Sequence, residues 1–192
     1  MAIPQKELTE KELAPHLAKV QACVLSGVED YLTNYSSHHH LHSPRSRASL
    51  VHDHIVDRIK NAFPSNIVVQ RGLTLLFING FAIRFKKFRG KRMRTSNIPT
   101  QQTLQFNNQL ELEGLGRKVT HLNAGYLANE FWTDFECYIT CPDGAGHHWF
   151  IHIPKRTSTT PVISIASEQR GVDSQKRVQP KRKKGRSHDS KA

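Results

Sequence analysis

The spacing of apolar residues changes once along the chain, and this change constrains the fold more than any other feature. Up to Phe63, apolar residues recur at three- and four-residue steps, which is the spacing of one helix face. From Ile67 to Ile153 they mostly alternate with polar residues, as in strands that bury one face. Because helices precede strands in this way, the sequence predicts an α+β fold.

Two amphipathic helices are predicted in the first third of the chain. The first covers residues 15–35, with Pro15 in the first turn, where a missing N–H costs nothing. The polar stretch that follows indicates a loop. The second helix comes next, with Ser46 or Ser49 as its candidate N-cap, and Pro64 ends it.

The Asn79-Gly80 pair is the strongest turn signal in the chain. This dipeptide is typical of a two-residue hairpin turn, here between strands at 73–78 and from Phe81 onward. In the second of these strands, apolar residues alternate with Ala82, Arg84 and Lys86. The alternation predicts a half-buried strand with one apolar and one basic face, followed by a basic loop at 87–96.

The remaining elements complete a meander. We expect a short helix at 99–108 with Leu104 as its main apolar residue, then strands at 119–127, 131–140 and 147–153. The predicted architecture is therefore two N-terminal helices, then a largely antiparallel sheet with one short inserted helix.

The domain organisation follows from length and charge. A chain of 192 residues suits one ordinary core, which we assign to residues 1–153. Residues 154–192 are rich in Ser, Thr, Pro and charge, which predicts a disordered tail. This tail is basic: residues 170–192 hold nine Lys or Arg against Asp173 and Asp189, so they carry +7 of the formal net charge of +12.

Composition also limits the compartment. No stretch approaches the roughly 18 consecutive apolar residues of a membrane span, so we do not expect the protein to associate with a membrane. The N-terminus is polar and lacks the apolar core of a secretory signal. The three cysteines are too few for a disulfide framework and are expected to be reduced thiols in the cytoplasm.

A dense basic segment is the clearest functional signal. It places seven cations in eleven residues, and no acidic residue occurs between Asn79 and Leu110. Clustered cations repel unless anions neutralise them, and phosphates do so with release of counterions. An acidic protein partner, or carboxylates elsewhere in the fold, would also neutralise these cations. The cations are Arg84, Lys86, Lys87, Arg89, Lys91, Arg92 and Arg94.

The tail contains a second basic run. It is typical of non-specific nucleic-acid affinity or of a localisation signal, although a solvated tail has the same composition. Its residues are Lys181, Arg182, Lys183 and Lys184.

The histidines suggest a metal site, but their spacing does not define one. A zinc site needs three or four converging ligands, and His52 and His54 point away from each other on a helix. The 38–42 histidines lack a fixed geometry, and Cys137 and Cys141 match no common zinc-finger spacing. We therefore expect no metal and no cofactor.

Motifs of known catalytic classes are also missing from the sequence. It contains no G-x-S-x-G, Walker, H-E-x-x-H or C-x-x-C motif. Asp134 and Glu136 would share a strand face, with His121 or His147 in reach, and a metal-dependent nuclease could use such a set. Charged residues on an exposed strand face are more often solvated side chains than catalytic groups, so we expect no catalytic residues.

Four fragments carry a resemblance: HSPRSRASLVHDHI (42–55), IRFKKF (83–88), NIPTQQ (97–102) and NAGYL (123–127). Together they resemble a group of bacterial proteins associated with mobile elements and helix-turn-helix regulators. The resemblance implies a place in a mobile-element or defence module, of the toxin–antitoxin kind. It also draws attention to a polar helix entry as a hidden site, formed by His42, Arg45, Arg47, His52, Asp53 and His54.

These observations predict a non-enzymatic accessory or regulatory protein. It would contact nucleic acid non-specifically, or an acidic protein partner, through the basic strand and loop. One alternative is a small metal-dependent nuclease or toxin, and another is an antitoxin-like or inhibitor module that only binds protein.

Overall fold

A computed structural model describes residues 4–70, 72–95, 100–110, 119–144 and 146–155. The chain begins with helix α1 (Lys6–Tyr35), a 3₁₀ helix (Ser36–Leu41), helix α2 (Pro44–Ala62) and a short 3₁₀ turn (Pro64–Asn66). Strands β1 (Ile67–Gln70), β2 (Leu73–Ile78), β3 (Phe81–Arg89) and β4 (Arg94–Thr95) follow. Helix α3 (Gln101–Asn107) precedes strands β5 (Thr120–Ala128), β6 (Phe135–Asp143) and β7 (Gly146–Ile153). The predicted α+β class and its element order are confirmed.

Helix α1 starts nine residues before the predicted position, so Pro15 lies inside the helix and not in its first turn. Tertiary contacts stabilise the extra turns despite the proline. Thr9 and Leu13 are fully buried, and the indole N–H of Trp149 donates to the carbonyl of Pro4 at 2.9 Å. The side-chain amide of Asn79 donates to the carbonyl of Glu12 at 2.9 Å. Tertiary packing here outweighs the local preference of proline.

Helix α2 also starts earlier than predicted. Its N-cap is Ser43, whose hydroxyl accepts from the backbone N–H of Ser46 at 3.1 Å, and Pro44 occupies the first turn. The predicted caps at Ser46 and Ser49 are wrong. Ser-Pro is a frequent start of a helix because the proline needs no acceptor for an N–H.

The strands form one sheet in the order β1-β2-β3-β5-β6-β7, with β4 paired to β3. The Asn79-Gly80 turn is confirmed, since Ile78 pairs with Phe81 and the two turn residues have φ of 48° and 81°. One pairing departs from an antiparallel meander: β3 and β5 are parallel. These two strands approach closely at Gly125, where a Cβ atom would lie 1.7 Å from the carbonyl oxygen of Lys86.

Helices α1 and α2 cover one face of the sheet, which we call the helix face. The main core lies there, and β3 contributes Phe81, Ile83 and Phe85 to it. On the other side, which we call the opposite face, Ala82 packs with Phe106 of α3 in a second apolar cluster. The strand β3 is therefore covered on both faces over much of its length.

Three local predictions need correction. The basic loop predicted at 87–96 is partly strand, because β3 runs to Arg89 and β4 pairs with it. In α3 the buried apolar residue is Phe106, while Leu104 is 43% exposed. The strand predicted from residue 131 begins at Phe135, because a turn built on Asn129 occupies the preceding residues.

The predicted tail lies outside the described residues from residue 156 onward, and the basic run at Lys181, Arg182, Lys183 and Lys184 lies there too. In the part of the chain that the structure describes, no helix combines the length and hydropathy needed to cross a membrane.

Candidate functional site

The seven cations predicted to bind phosphate lie in three different environments. Arg84 is buried, with 2% of its surface exposed. Lys86 and Lys87 are half-buried. The remaining four, Arg89, Lys91, Arg92 and Arg94, are exposed at the end of the β3–β4 hairpin.

Arg84 does not lie on an exposed basic face, so that expectation is wrong for this residue. Its Nε donates to Oδ1 of Asn123 at 3.0 Å, and its Nη2 donates to Oδ1 of Asn107 at 2.9 Å. The guanidinium carbon lies 4.2 Å from the ring centre of Phe106. Burial lowers the pKa of Arg84 to about 10. The reason is that β3 is a central strand, and α3 covers the face that alternation alone would leave to solvent.

Lys86 and Lys87 are intermediate cases. Burial and, after it, neighbouring cations lower the pKa of each to about 8: Arg84 acts on Lys86, while Arg89 and Arg47 act on Lys87. Lys87 lies on the helix face, where its Nζ is 4.3 Å from the ring centre of Trp132. The two lysines therefore point to different sides of the sheet.

The hairpin cations are exposed and locally unneutralised. Arg89 and Arg94 are direct cross-strand partners, so two like charges stand opposite each other. The turn between them is closed by a hydrogen bond from the N–H of Met93 to the carbonyl of Gly90 at 3.1 Å. Among the described residues, no carboxylate lies within ion-pair distance of any of the four hairpin cations.

The polar residues predicted at the entry of α2 only partly converge. Arg45 and Asp53 are exposed, and Asp53 contacts His52 at 3.6 Å. Burial lowers the pKa of His52, although Asp53 opposes this. The ring centres of His54 and Tyr35 lie 6.2 Å apart. From this predicted set, the structure places Arg47 over a residue that the sequence did not single out, Trp132. His42 is hydrogen-bonded to Tyr31, whose ring centre lies 6.0 Å from that of the same indole.

We call this arrangement the Trp132 cluster. The indole is 9% exposed, and the guanidinium carbon of Arg47 lies 5.1 Å from its ring centre. The cluster has polar members on both helices and on the sheet. They are Tyr31, His39, His42, Arg47, Lys87, Tyr126 and Trp132.

A hydrogen-bond chain connects the helical members of the Trp132 cluster. The hydroxyl of Tyr31 lies 3.2 Å from Nδ1 of His39 and 3.0 Å from Nδ1 of His42. Nε2 of His39 lies 3.0 Å from Nη1 of Arg47. The pKa of His39 is lowered by burial and then by the Arg47 charge, so the neutral ring is favoured.

Two polar atoms of the Trp132 cluster are buried without a hydrogen-bond partner among the described residues: Nε of Arg47 and the hydroxyl of Tyr126. Tyr126 as a whole is 1% exposed, and burial raises the pKa of its phenol well above the ordinary range. An unmade hydrogen bond in such a position costs about 1–3 kcal/mol. Such unpartnered buried groups are rare in native proteins, and each requires an explanation.

A turn built on Asn129 positions the indole. The Oδ1 of Asn129 accepts from the N–H of Thr133 at 2.9 Å and of Asp134 at 3.2 Å. Trp132 lies within this turn with φ of 57°, a left-handed conformation that costs a bulky residue about 1–3 kcal/mol. The sequence predicted Trp132 on a strand and did not indicate that its indole would face the helices.

The metal and nuclease hypotheses find no matching geometry in the described ranges. No group of three or more His, Cys, Asp or Glu in them is placed to hold a metal ion. Cys137 and Cys141 are buried, and burial raises the pKa of each thiol to about 12.

The proposed acidic pair has structural partners instead. Asp134 accepts from Nζ of Lys155 at 2.5 Å, and Glu136 accepts from the hydroxyl of Tyr138 at 2.6 Å. His121 is buried against Phe106, with its Nδ1 3.1 Å from the carbonyl of that residue. Asp134 and Glu136 line a cavity of about 590 Å³ beside the hairpin, together with Lys91, Asn129 and several apolar residues.

No protein-family model, curated protein or solved structure matches the chain.

Proposed function

We propose that the protein binds polynucleotides through the phosphate backbone, as a non-enzymatic accessory or regulatory protein. The contact surface is the tip of the β3–β4 hairpin, with Arg89, Lys91, Arg92 and Arg94 as the phosphate-binding side chains. Lys87 extends this surface toward the Trp132 cluster, and Arg84 is no longer part of it.

One observation carries the proposal: four exposed cations crowd one hairpin without a described carboxylate in ion-pair distance. The cross-strand pair of Arg89 and Arg94 would weaken this strand pairing unless an anion lies between them. Phosphates spaced along a polynucleotide neutralise such a row of cations and release condensed counterions. Because the cations contact backbone and not base edges, binding is expected to be non-specific in sequence.

A place in a mobile-element or defence module remains a proposal that rests on the sequence resemblance alone. An acidic protein partner would use the same four cations. The two partners differ in stoichiometry and salt response, because a polynucleotide binds with a steep and predictable dependence on salt concentration.

The test compares two charge-matched variants of the full chain. In the first, Lys91, Arg92 and Arg94 are replaced by Gln. In the control, three exposed lysines of α1 and α2 (Lys6, Lys11 and Lys60) are replaced by Gln. Both variants lose three positive charges and keep the tail, so only the position of the lost charge differs.

Binding of a labelled DNA duplex and a labelled single-stranded RNA is measured by fluorescence anisotropy at several salt concentrations. The hairpin variant should flatten the slope of log K against log salt by about 0.7–0.9 per lost contact, or about 2–3 in all. The control variant should keep the wild-type slope. Equal slopes in the two variants, or no salt-dependent binding by the wild type, would contradict the proposal.

A further inference from the structure

The hydrogen bonds of the Trp132 cluster have a direction, and Arg47 sets it. A guanidinium has only donors, so Nε2 of His39 must accept from Nη1 of Arg47. The neutral ring of His39 then carries its proton on Nδ1 and donates it to the hydroxyl oxygen of Tyr31. Tyr31 in turn donates its own proton to Nδ1 of His42. The remaining proton of a neutral His42 therefore sits on Nε2.

This assignment leaves the Trp132 cluster with donors for a ligand. Nε–H of Arg47 and the hydroxyl of Tyr126 are buried and unpartnered. Two further donors belong to half-buried residues of the cluster. They are the ammonium of Lys87, which lies over the indole, and Nε2–H of His42, whose ring is bound to Tyr31. None of the residues that form the cluster is a carboxylate. A site of this kind suits a ligand that only accepts hydrogen bonds and carries negative charge.

The position of Arg47 in α2 strengthens the argument. The first turn of this helix holds basic residues and no acidic one, although the helix N-terminus itself carries partial positive charge. Arg47 and Lys87 also place two like charges over one indole. Burial, and after it the charges of Arg89 and Arg47, lower the pKa of Lys87. An anion bound here would offset the repulsion between Arg47 and Lys87 and would interact favourably with the N-terminus of α2.

We propose that the Trp132 cluster binds a single phosphoryl group. Arg47 and Tyr126 donate to its oxygens from the buried side, and Lys87 and His42 donate from the open side. A phosphoryl group offers at least three acceptor oxygens to these four donors, whereas a carboxylate offers two. The ligand is a free or small-molecule phosphate, or the terminal phosphate of a polynucleotide. The site shares Lys87 with the surface proposed above but none of the four hairpin cations, so it does not depend on the proposed function.

The first experiment titrates inorganic phosphate into the full-length protein by calorimetry. Arg47→Met and Tyr126→Phe each remove one donor from the cluster, and each should weaken phosphate binding by about 10- to 100-fold, the loss expected for a hydrogen bond to a charged group. Arg45→Met is the matched control, because Arg45 lies two residues away on the same helix and is exposed. It should bind phosphate like the wild type.

Melting curves recorded on the same samples separate binding from folding. Tyr126→Phe removes only an unpartnered hydroxyl, so this variant is expected to fold. It can therefore test the site even if Arg47→Met fails to fold. Absence of phosphate binding by the wild type at millimolar concentrations would overturn the proposal. So would wild-type affinity in both Arg47→Met and Tyr126→Phe.

A second experiment identifies the source of the phosphoryl group. Oligonucleotides of one sequence, with a 5′-phosphate or a 5′-hydroxyl end, are compared as ligands. Tighter binding of the phosphorylated end, lost in Arg47→Met, supports the site and assigns it to polynucleotide termini. Equal binding of both ends, together with Arg47-dependent binding of inorganic phosphate, supports the site and assigns it to a free or small-molecule phosphate. The hairpin variant should retain phosphate binding in either case, so the two proposals fail independently.

Discussion

Arg84 and Arg47 lie on opposite faces of the same sheet, and their surroundings differ in one respect. Both guanidinium groups lie over an aromatic ring, and neither has an ion-pair partner among the described carboxylates. Arg84 donates to two neutral side-chain amides, those of Asn107 and Asn123. Arg47 donates to His39 and keeps a buried Nε without a partner. The two matched hydrogen bonds of Arg84 stabilise the fold, whereas the unmatched Nε of Arg47 supports the ligand site proposed above.

The difference follows from the elements around each arginine. Helix α3 lies over the opposite face and contributes both Asn107 and the ring of Phe106 to Arg84. On the helix face, Arg47 belongs to the first turns of α2, at the edge of the core, and remains half-buried. The same residue type is therefore enclosed in one place and open on one side in the other.

The largest effect is expected from Gly125→Ala, which should disrupt both arginine environments together. The parallel pairing of β3 and β5 carries Asn123 toward Arg84 and Tyr126 toward the Trp132 cluster. A Cβ at position 125 would lie 1.7 Å from the carbonyl of Lys86, a backbone atom with little freedom to move. We expect a loss of about 3 kcal/mol or more in the free energy of unfolding, measured by urea denaturation. Wild-type stability in Gly125→Ala would show that the strands are further apart than described.

A smaller but still large effect is expected from Arg84→Met. The substitution removes two hydrogen bonds from a charged donor and leaves the oxygens of Asn107 and Asn123 buried. We expect a loss of about 2–4 kcal/mol by urea denaturation, with phosphate affinity retained. Arg89→Met is the surface control and should change stability by less than about 0.5 kcal/mol. Equal stability of these two variants would remove the distinction between the two arginines.

The smallest effect on stability is expected from Arg47→Met. The substitution removes the hydrogen bond to His39 but also removes a buried donor that has no partner. These effects oppose each other, so the free energy of unfolding should change by at most about 1 kcal/mol. Its signature is the response to ligand: phosphate should raise the melting temperature of the wild type but leave that of Arg47→Met unchanged. A loss of stability as large as that of Arg84→Met would mean that Arg47 is structural as well.

Hydrophobic periodicity was sufficient to predict the element order, and turn chemistry was sufficient for the Asn79-Gly80 hairpin. Neither could predict the parallel pairing of β3 with β5, because strand alternation has the same period in parallel and antiparallel sheets. The exposure of Arg84 was also wrongly predicted. Alternation indicates which face of the sheet a residue lies on, but it does not indicate which element covers that face. The start of α1 depended on contacts with Trp149 and Asn79, which are distant in sequence.

The candidate site was harder to predict than the fold. The basic segment was visible as a charge run, but its division into buried and exposed cations depended on the sheet. Tyr31 fitted the apolar stripe of α1, so its hydroxyl received no role. His39 was considered only as a metal ligand, whereas His42 was also named as part of the polar helix entry. Trp132 was placed on a strand, whereas the left-handed turn at Asn129 directs it into the cluster.

The environment of Trp132 has an optical consequence. The chain contains two tryptophans, and the other, Trp149, donates its indole N–H to the carbonyl of Pro4 near the start of α1. The electrons of the Trp132 ring are polarised by the charges of Arg47 and Lys87. Neutralising those charges changes the energy of its excited state, while the surroundings of Trp149 stay the same. The protein therefore contains a fluorophore that reports on the electric field at Arg47 and a second one that serves as its internal reference.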